Sequence, residues 1–263
     1  MRGFMVNRNK KTETGKTMQL EISRYNPEVA TEPSFQMYKV PFHEDWSILD
    51  AVNHIKNEID GTLSYRWSCQ MGVCGSCGIM INNIPKLSCG TFLKDYYPNK
   101  ISIEPLDGFP VEKDLISDID DFLTKLTDIK PYIIRNKGEE KSLDEGEYRQ
   151  SPAELARFKQ YSMCINCTLC YAACPVYALD STFLGPAAIA LGQRYNMDSR
   201  DQGREERQEL IASHEGIWEC TFVGECSAVC PKDVDPAAAI QRAKVSSTID
   251  WFKDVLIPWG KKK

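Results

Sequence analysis

The sequence predicts an α+β chain in two parts: a small mixed sheet packed on one helix and ending near residue 106, then a mainly helical remainder. Three observations carry this. Before residue 106, short β-prone stretches alternate with turn residues; beyond residue 115, apolar side chains recur at helical spacing; and eleven cysteines fall into three tight groups with none elsewhere. At 263 residues the chain has room for a hydrophobic core in each part, so disulfides are not needed to replace one.

Residues 1–17, MRGFMVNRNKKTETGKT, are basic and polar and read as a flexible arm lacking the apolar segment of an export signal. From Met18, MQLEISRY and then SFQMYKVPF read as two strands joined as a hairpin. Ser47 is placed to cap a helix whose apolar face is Ile48, Leu49, Val52, Ile55 and Ile59, with Gly61 just past its end. GIMINN, PKLSC and KISIEPL follow as three short strand-like stretches, broken by Asn-Asn, Pro and Asn-Lys turn signals. The pattern then changes, and Leu115, Ile116, Ile119, Phe122, Leu123 and Leu126 take the spacing of one helix face. The expected division is an arm at 1–17, a first domain at 18–106 and a second at 107–263. Within the second, NKGEEKSLDEGEYRQSPAEL reads as a polar surface excursion, and DPAAAIQRAKVSSTIDWF as a helix capped by Asp235 with Pro236 in its first turn.

Composition narrows the chemistry. A net charge of −5, with both signs spread along the chain, argues against a nucleic-acid-binding surface. No run of about 18 consecutive apolar residues is present, so membrane contact is expected to be peripheral or through a partner. No nucleophile with a base, and no acid–base pair, stands out. Cysteines grouped this closely, in a chain without an export signal, point to metal binding rather than disulfides.

Cys69, Cys74, Cys77 and Cys89 have the spacing C-x4-C-x2-C-x11-C, that of plant-type [2Fe-2S] ferredoxins. Gly72, Gly75 and Gly78 allow backbone N–H groups to approach the sulfurs. A structural zinc site is the alternative, although zinc ribbons present two separated C-x2-C knuckles. Cys164, Cys167, Cys170 and Cys174, followed by Pro175, form C-x2-C-x2-C-x3-C-P, in which the fourth cysteine ligates the other cluster. Fifty-six residues on, Cys220, Cys226 and Cys230, followed by Pro231, repeat the pattern with Val223 in place of the second cysteine. By the crossover rule, Cys164, Cys167, Cys170 and Cys230 hold a [4Fe-4S] cluster, while Cys174, Cys220 and Cys226 hold another whose fourth corner falls at Val223. Valine has no donor atom, so a [3Fe-4S] cluster is expected there; a full cubane closed by Glu225 or a water is the alternative. His43, His54 and His214 lie outside all three groups, which argues against a Rieske centre.

Three clusters in sequence read as an electron wire. SYRWSCQMGVCGSCG, CINCTLCYAACP, FLGPAAIAL and CTFVGECSAVCPKDVDPAAAIQRAK together resemble the iron–sulfur subunit of succinate dehydrogenase and quinol:fumarate reductase, over about residues 18–250. The resemblance implies a β-grasp, ferredoxin-like first domain and a helical second domain like the bacterial two-cluster ferredoxins. It implies a partner flavoprotein whose covalent FAD interconverts fumarate and succinate, and membrane anchor subunits that help bind a quinone. The two-iron cluster would lie nearest the flavin and the three-iron cluster nearest the quinone, with the subunit peripheral on the cytoplasmic face of the inner membrane. Thr221, Phe222, Gln241 and Lys244 match positions that line the quinone pocket in that family.

Where typical succinate dehydrogenases are expected to carry histidine after the first three-iron ligand and tryptophan after the middle Cys-Pro, this chain has Thr221 and VYAL. With CINC and CYAACP, these features resemble the bacterial fumarate reductase branch, which draws on menaquinol in anaerobic respiration. A succinate dehydrogenase subunit working oxidatively is the alternative within the family. A zinc-stabilised scaffold, and a soluble ferredoxin-like subunit of another dehydrogenase, are the alternatives outside it. Thr168 stands where glycine is common in that branch. Trp251, Trp259 and the terminal lysines are placed to meet anchor subunits or lipid headgroups, or to form a solvated tail.

Overall fold

The computed structural model describes residues 15–136 and 138–256. Most of the expected arm, together with Trp259 and the terminal lysines, lies outside the described residues, and Thr17 already opens the first strand. β1 (Thr17–Arg24) pairs antiparallel with β2 (Ser34–Pro41), turning alternate residues Met18, Leu20 and Ile22 into the core. α1 (Ile48–His54) begins with a capping box: Ser47 Oγ accepts from the Asp50 N–H, and the Asp50 carboxylate accepts from the Ser47 N–H. The helix runs on as a π-helical turn, Ile55–Ile59. β3 (Gly78–Ile81), β4 (Ile84–Leu87) and β5 (Ile101–Glu104) complete a five-stranded sheet of order β2-β1-β5-β3-β4, with β1 and β5 parallel.

One sheet face packs Ile22, Ile79, Ile81, Ile101 and Ile103 against Ile48, Val52 and Ile55. The period of two along β3 sends Met80 to the opposite face, where it joins Leu87 and Leu106 in the core of the helical half. The two halves therefore share β3 as a wall buried on both sides.

The helix expected from Leu115 onward starts later. β6 (Val111–Lys113) and β7 (Ile116–Ser117) form a small hairpin, Leu115 packs into the sheet core, and α2 (Asp120–Asp128) begins only at Asp120. Asp114 is the cause. It is buried at a left-handed φ of 48°, and its carboxylate accepts from Arg24 Nε at 2.9 Å, the Tyr25 N–H at 3.0 Å and the Ser64 N–H at 2.8 Å. Two amide donors and one cationic donor outweigh the weak helical preference of the apolar spacing.

The helical half continues with α3 (Pro152–Phe158), α4 (Leu169–Ala172), α5 (Pro175–Leu179), α6 (Pro186–Asn196), α7 (Arg204–Ile211), α8 (Glu225–Ala228) and α9 (Pro236–Leu256). Asp235 caps α9, its carboxylate accepting from the Ala238 N–H at 3.0 Å. Tyr171 sits at the centre of this half, fully buried against Phe109, Phe122 and Tyr177, with its hydroxyl donating to Leu184 O at 2.8 Å. Gly185 opposes it because any Cβ there would lie 2.2 Å from the Tyr171 ring. Arg207, also fully buried, forks onto Asp201 at 2.7 and 2.9 Å and donates to the carbonyls of Lys130 and Tyr132, tying α7 to the chain beyond α2. Among the described residues, no helix is long and apolar enough to cross a membrane.

Candidate metal centres

The first cysteine loop leaves Cys74 exposed, Cys69 and Cys89 half-buried, and Cys77 buried. Left-handed backbone at Gln70, Gly72 and Gly75 curls the loop so that its amides face inward. The N–H groups of Met71, Val73 and Cys74 donate to Cys69 Sγ at 3.3 to 3.4 Å, and together they hold that thiol down at about 6. Cys89 comes from a 3-10 turn after β4, and it is fixed beside the loop because the neighbouring Ser88 N–H and Oγ both donate to Cys77 O. Burial, and then the nearby Cys77, push Cys89 up to about 11.

The other two groups share one backbone design. Asn166 and Thr168 are left-handed, with φ of 55° and 60°; fifty-six residues on, Phe222 and Gly224 are left-handed too, at 61° and 92°. α4 and α8 each start at the following residue. Val223 thus occupies, within a loop of the same conformation, the place that Cys167 holds in its own. The pattern also explains Thr168, which spends strain that Gly224 avoids and whose hydroxyl donates to Cys167 O at 2.7 Å. Cysteine spacing alone does not reveal that position; the glycine at the matching place in the second run is the signal that could have found it.

Two cavities lie behind these loops. Cys164, Cys167, Cys170 and Cys230 line one. Cys174, Cys220 and Cys226 line the other, together with Thr221, Phe222, Val223 and Glu225. Each run thus lends its last cysteine to the other cavity. Backbone amides again face the sulfurs: the Phe222 N–H donates to Cys220 and the Val234 N–H to Cys230, both at 3.4 Å. Burial pushes Cys167 up to about 11 and Cys226 to about 12, and drives Cys170 well above the usual thiol range. Such thiols become thiolates only against a strong positive charge, which iron supplies.

The sulfurs ring space rather than a point; among the described residues, no three His, Cys, Asp or Glu side chains close on a single ion. Four thiols in one cavity, three in the next, and inward amides in every loop form a donor set that fits iron–sulfur clusters.

Beside the second cavity, Thr221 and Phe222 are exposed, while Lys244, on α9, donates from Nζ to Cys220 O at 2.7 Å and lies over the Trp218 ring. Gln241, one turn earlier on the same helix, has its Nε2 buried and, among the described residues, without a hydrogen-bond partner. The four residues matched to the quinone pocket are thus gathered about Cys220 and α9, although Gln241 and Lys244 do not line the thiol cavity itself. His43 and His54 flank Trp46, and His214 is exposed beside Glu219.

Residues 19–124 match the family described as a 2Fe-2S iron-sulfur cluster binding domain, and residues 160–234 match a 4Fe-4S dicluster domain. Over 92% of its length the chain is 57% identical to the fumarate reductase iron-sulfur subunit of Mycobacterium tuberculosis (strain CDC 1551 / Oshkosh), covering 97% of that protein. It is 33% identical to the succinate dehydrogenase iron-sulfur subunit of Coxiella burnetii (strain RSA 493 / Nine Mile phase I), over 86% of this chain and 95% of that one. Among solved structures, a chain of the Mycobacterium smegmatis Sdh1 complex in the apo form superposes with a TM-score of 0.79 at 25% identity, covering 88% of this chain and 95% of that chain.

Proposed function

This chain belongs to the family of fumarate reductase and succinate dehydrogenase iron–sulfur subunits, and on that premise we propose that it serves a quinol:fumarate reductase, passing electrons from menaquinol toward the FAD of a partner flavoprotein. The fumarate-reducing site lies on that partner. Cys69, Cys74, Cys77 and Cys89 would hold a [2Fe-2S] cluster, Cys164, Cys167, Cys170 and Cys230 a [4Fe-4S] cluster, and Cys174, Cys220 and Cys226 a [3Fe-4S] cluster. When bound, these clusters supply reversible one-electron transfer.

The chain's own residues order the wire. Residues 18–106 carry the first ligand set and residues 107–263 the other two. The inward amides favour the more negative, reduced state of whatever the thiolates hold. The single observation that carries the reading is Val223: a loop built like its four-thiol counterpart presents a side chain without a donor, which leaves the second cavity one ligand short. Thr221 favours the fumarate-reducing direction over a succinate dehydrogenase. Around the same cavity, Trp218, Phe222 and Val223 are exposed, and Val245, Ile249 and Phe252 continue an exposed apolar face along α9. That surface supports docking on membrane anchor subunits, with Thr221, Phe222, Gln241 and Lys244 about the quinone and the chain peripheral on the cytoplasmic face of the inner membrane.

Low-temperature electron paramagnetic resonance on the anaerobically purified complex tests this. The expected result is a three-iron signal when oxidised, a two-iron signal after dithionite, and about nine iron per chain. Two complete cubanes would overturn the role of Val223. Colourless protein with stoichiometric zinc would establish the scaffold, and purification without a fumarate-reducing flavoprotein would favour a different dehydrogenase.

A further inference from the structure

We propose that Gly75 sets the separation between the first and second metal centres, its missing side chain allowing the two ligand loops to touch backbone to backbone. The inference rests on the cluster assignment above. A Cβ built on Gly75 would lie 2.8 Å from Ile165 O and 2.9 Å from both Cα and Cβ of Cys167. Those atoms belong to the loop carrying Cys164 and Cys167, and Gly75 itself follows Cys74, a ligand of the first centre. No flexible side-chain tip stands in the way to yield; two obstacles are main-chain atoms and the third is the root of a thiol ligand.

Any side chain at position 75 therefore drives the loops apart by about half an ångström before ordinary contact, 3.4 Å or more, is restored. Gly78 backs the same approach more gently, with Cys167 O at 3.2 Å and the movable Leu169 Cδ2 at 3.1 Å. Backbone freedom does not account for Gly75 alone. Gly72 is also left-handed, at +68° against +76°, yet among the described residues nothing lies within 4 Å of the Cβ it lacks. Nearby Gly72 thus bears the strain of a substitution without the collision, which separates the two effects.

The test compares Gly75→Ala, Gly78→Ala and Gly72→Ala in the assembled complex. Paramagnetic coupling between the reduced two-iron and four-iron centres is read as enhanced relaxation of the two-iron signal, and iron content and each centre's reduction potential are measured alongside. Gly75→Ala is expected to lose part of the relaxation enhancement while keeping the iron content of the parent, Gly78→Ala to lose less, and Gly72→Ala, whose strain falls on the first centre alone, to keep the full enhancement in its loaded centres whatever its iron content. Unchanged relaxation in Gly75→Ala with full iron content would overturn the proposal, as would an equal loss in Gly72→Ala. If Gly75→Ala fails to assemble, Gly78→Ala decides: a partial loss at full iron content sustains the proposal and no loss overturns it. Absence of any coupling in the parent would instead overturn the cluster assignment on which the inference rests.

Discussion

Replacing Val223 with cysteine tests the division of ligands most directly. Val223 is 57% exposed at the rim of the three-thiol cavity, between left-handed Phe222 and Gly224. Cys167 sits between left-handed Asn166 and Thr168, so a cysteine at 223 meets a backbone already shaped for a ligand. An exposed substitution that asks for no backbone change is expected to alter folding stability by no more than about 0.5 kcal/mol. Its effect should instead fall on metal content, which rises from about nine to about ten iron per chain as the second cavity gains its fourth thiolate. The added thiolate changes both cluster type and charge, so the reduction potential of that centre should drop and quinol-linked turnover should slow. Iron and sulfide quantitation, with paramagnetic resonance on anaerobically purified Val223→Cys complex, reads this out. An unchanged three-iron signal in fully loaded variant would refute the reasoning, because the fourth corner would then not lie at residue 223.

Three further outcomes follow from the packing. Gly185→Ala adds a Cβ 2.2 Å from the buried Tyr171 ring at a φ of +91°, and should destabilise the helical half by about 3 kcal/mol, seen as a lower melting temperature. Arg207→Met leaves buried Asp201 without its ionic partner and should cost about 3–5 kcal/mol, part of which Arg207→Met/Asp201→Asn, keeping an acceptor for the Ile134 and Gly203 N–H groups, should recover in denaturant unfolding. Burial alone would raise Asp198, but Arg200 and Arg194 overcome it and hold the carboxyl at about 2, below its ordinary 3.8. With a depressed folded value, the ion pairs stabilise fully above about 3.8 and fade as pH falls toward 2, so Asp198→Asn should flatten that part of the stability–pH curve.

Much of the site was legible because cysteine chemistry is written locally. The spacing of Cys164 to Cys174, its echo from Cys220, and the valine that interrupts the echo together anticipate which thiols line each cavity. Ser47 ahead of its apolar face, the alternation of Met18, Leu20 and Ile22, and Asp235 ahead of Pro236 are likewise short-range patterns, and the elements form where those patterns stand. Tertiary structure decided what depends on distant partners. Leu115 and Ile116 carry helical spacing, yet they fold as a hairpin because Asp114 is claimed by Arg24, Tyr25 and Ser64, residues fifty or more positions away. Gly75 reads in sequence as a loop glycine, and only its contact with Ile165 and Cys167, some ninety residues downstream, shows that two ligand loops meet there. The sequence by itself determined which atoms can bind metal, since donor identity belongs to single residues. How closely the bound centres approach is a property of packing between loops, which no local pattern encodes.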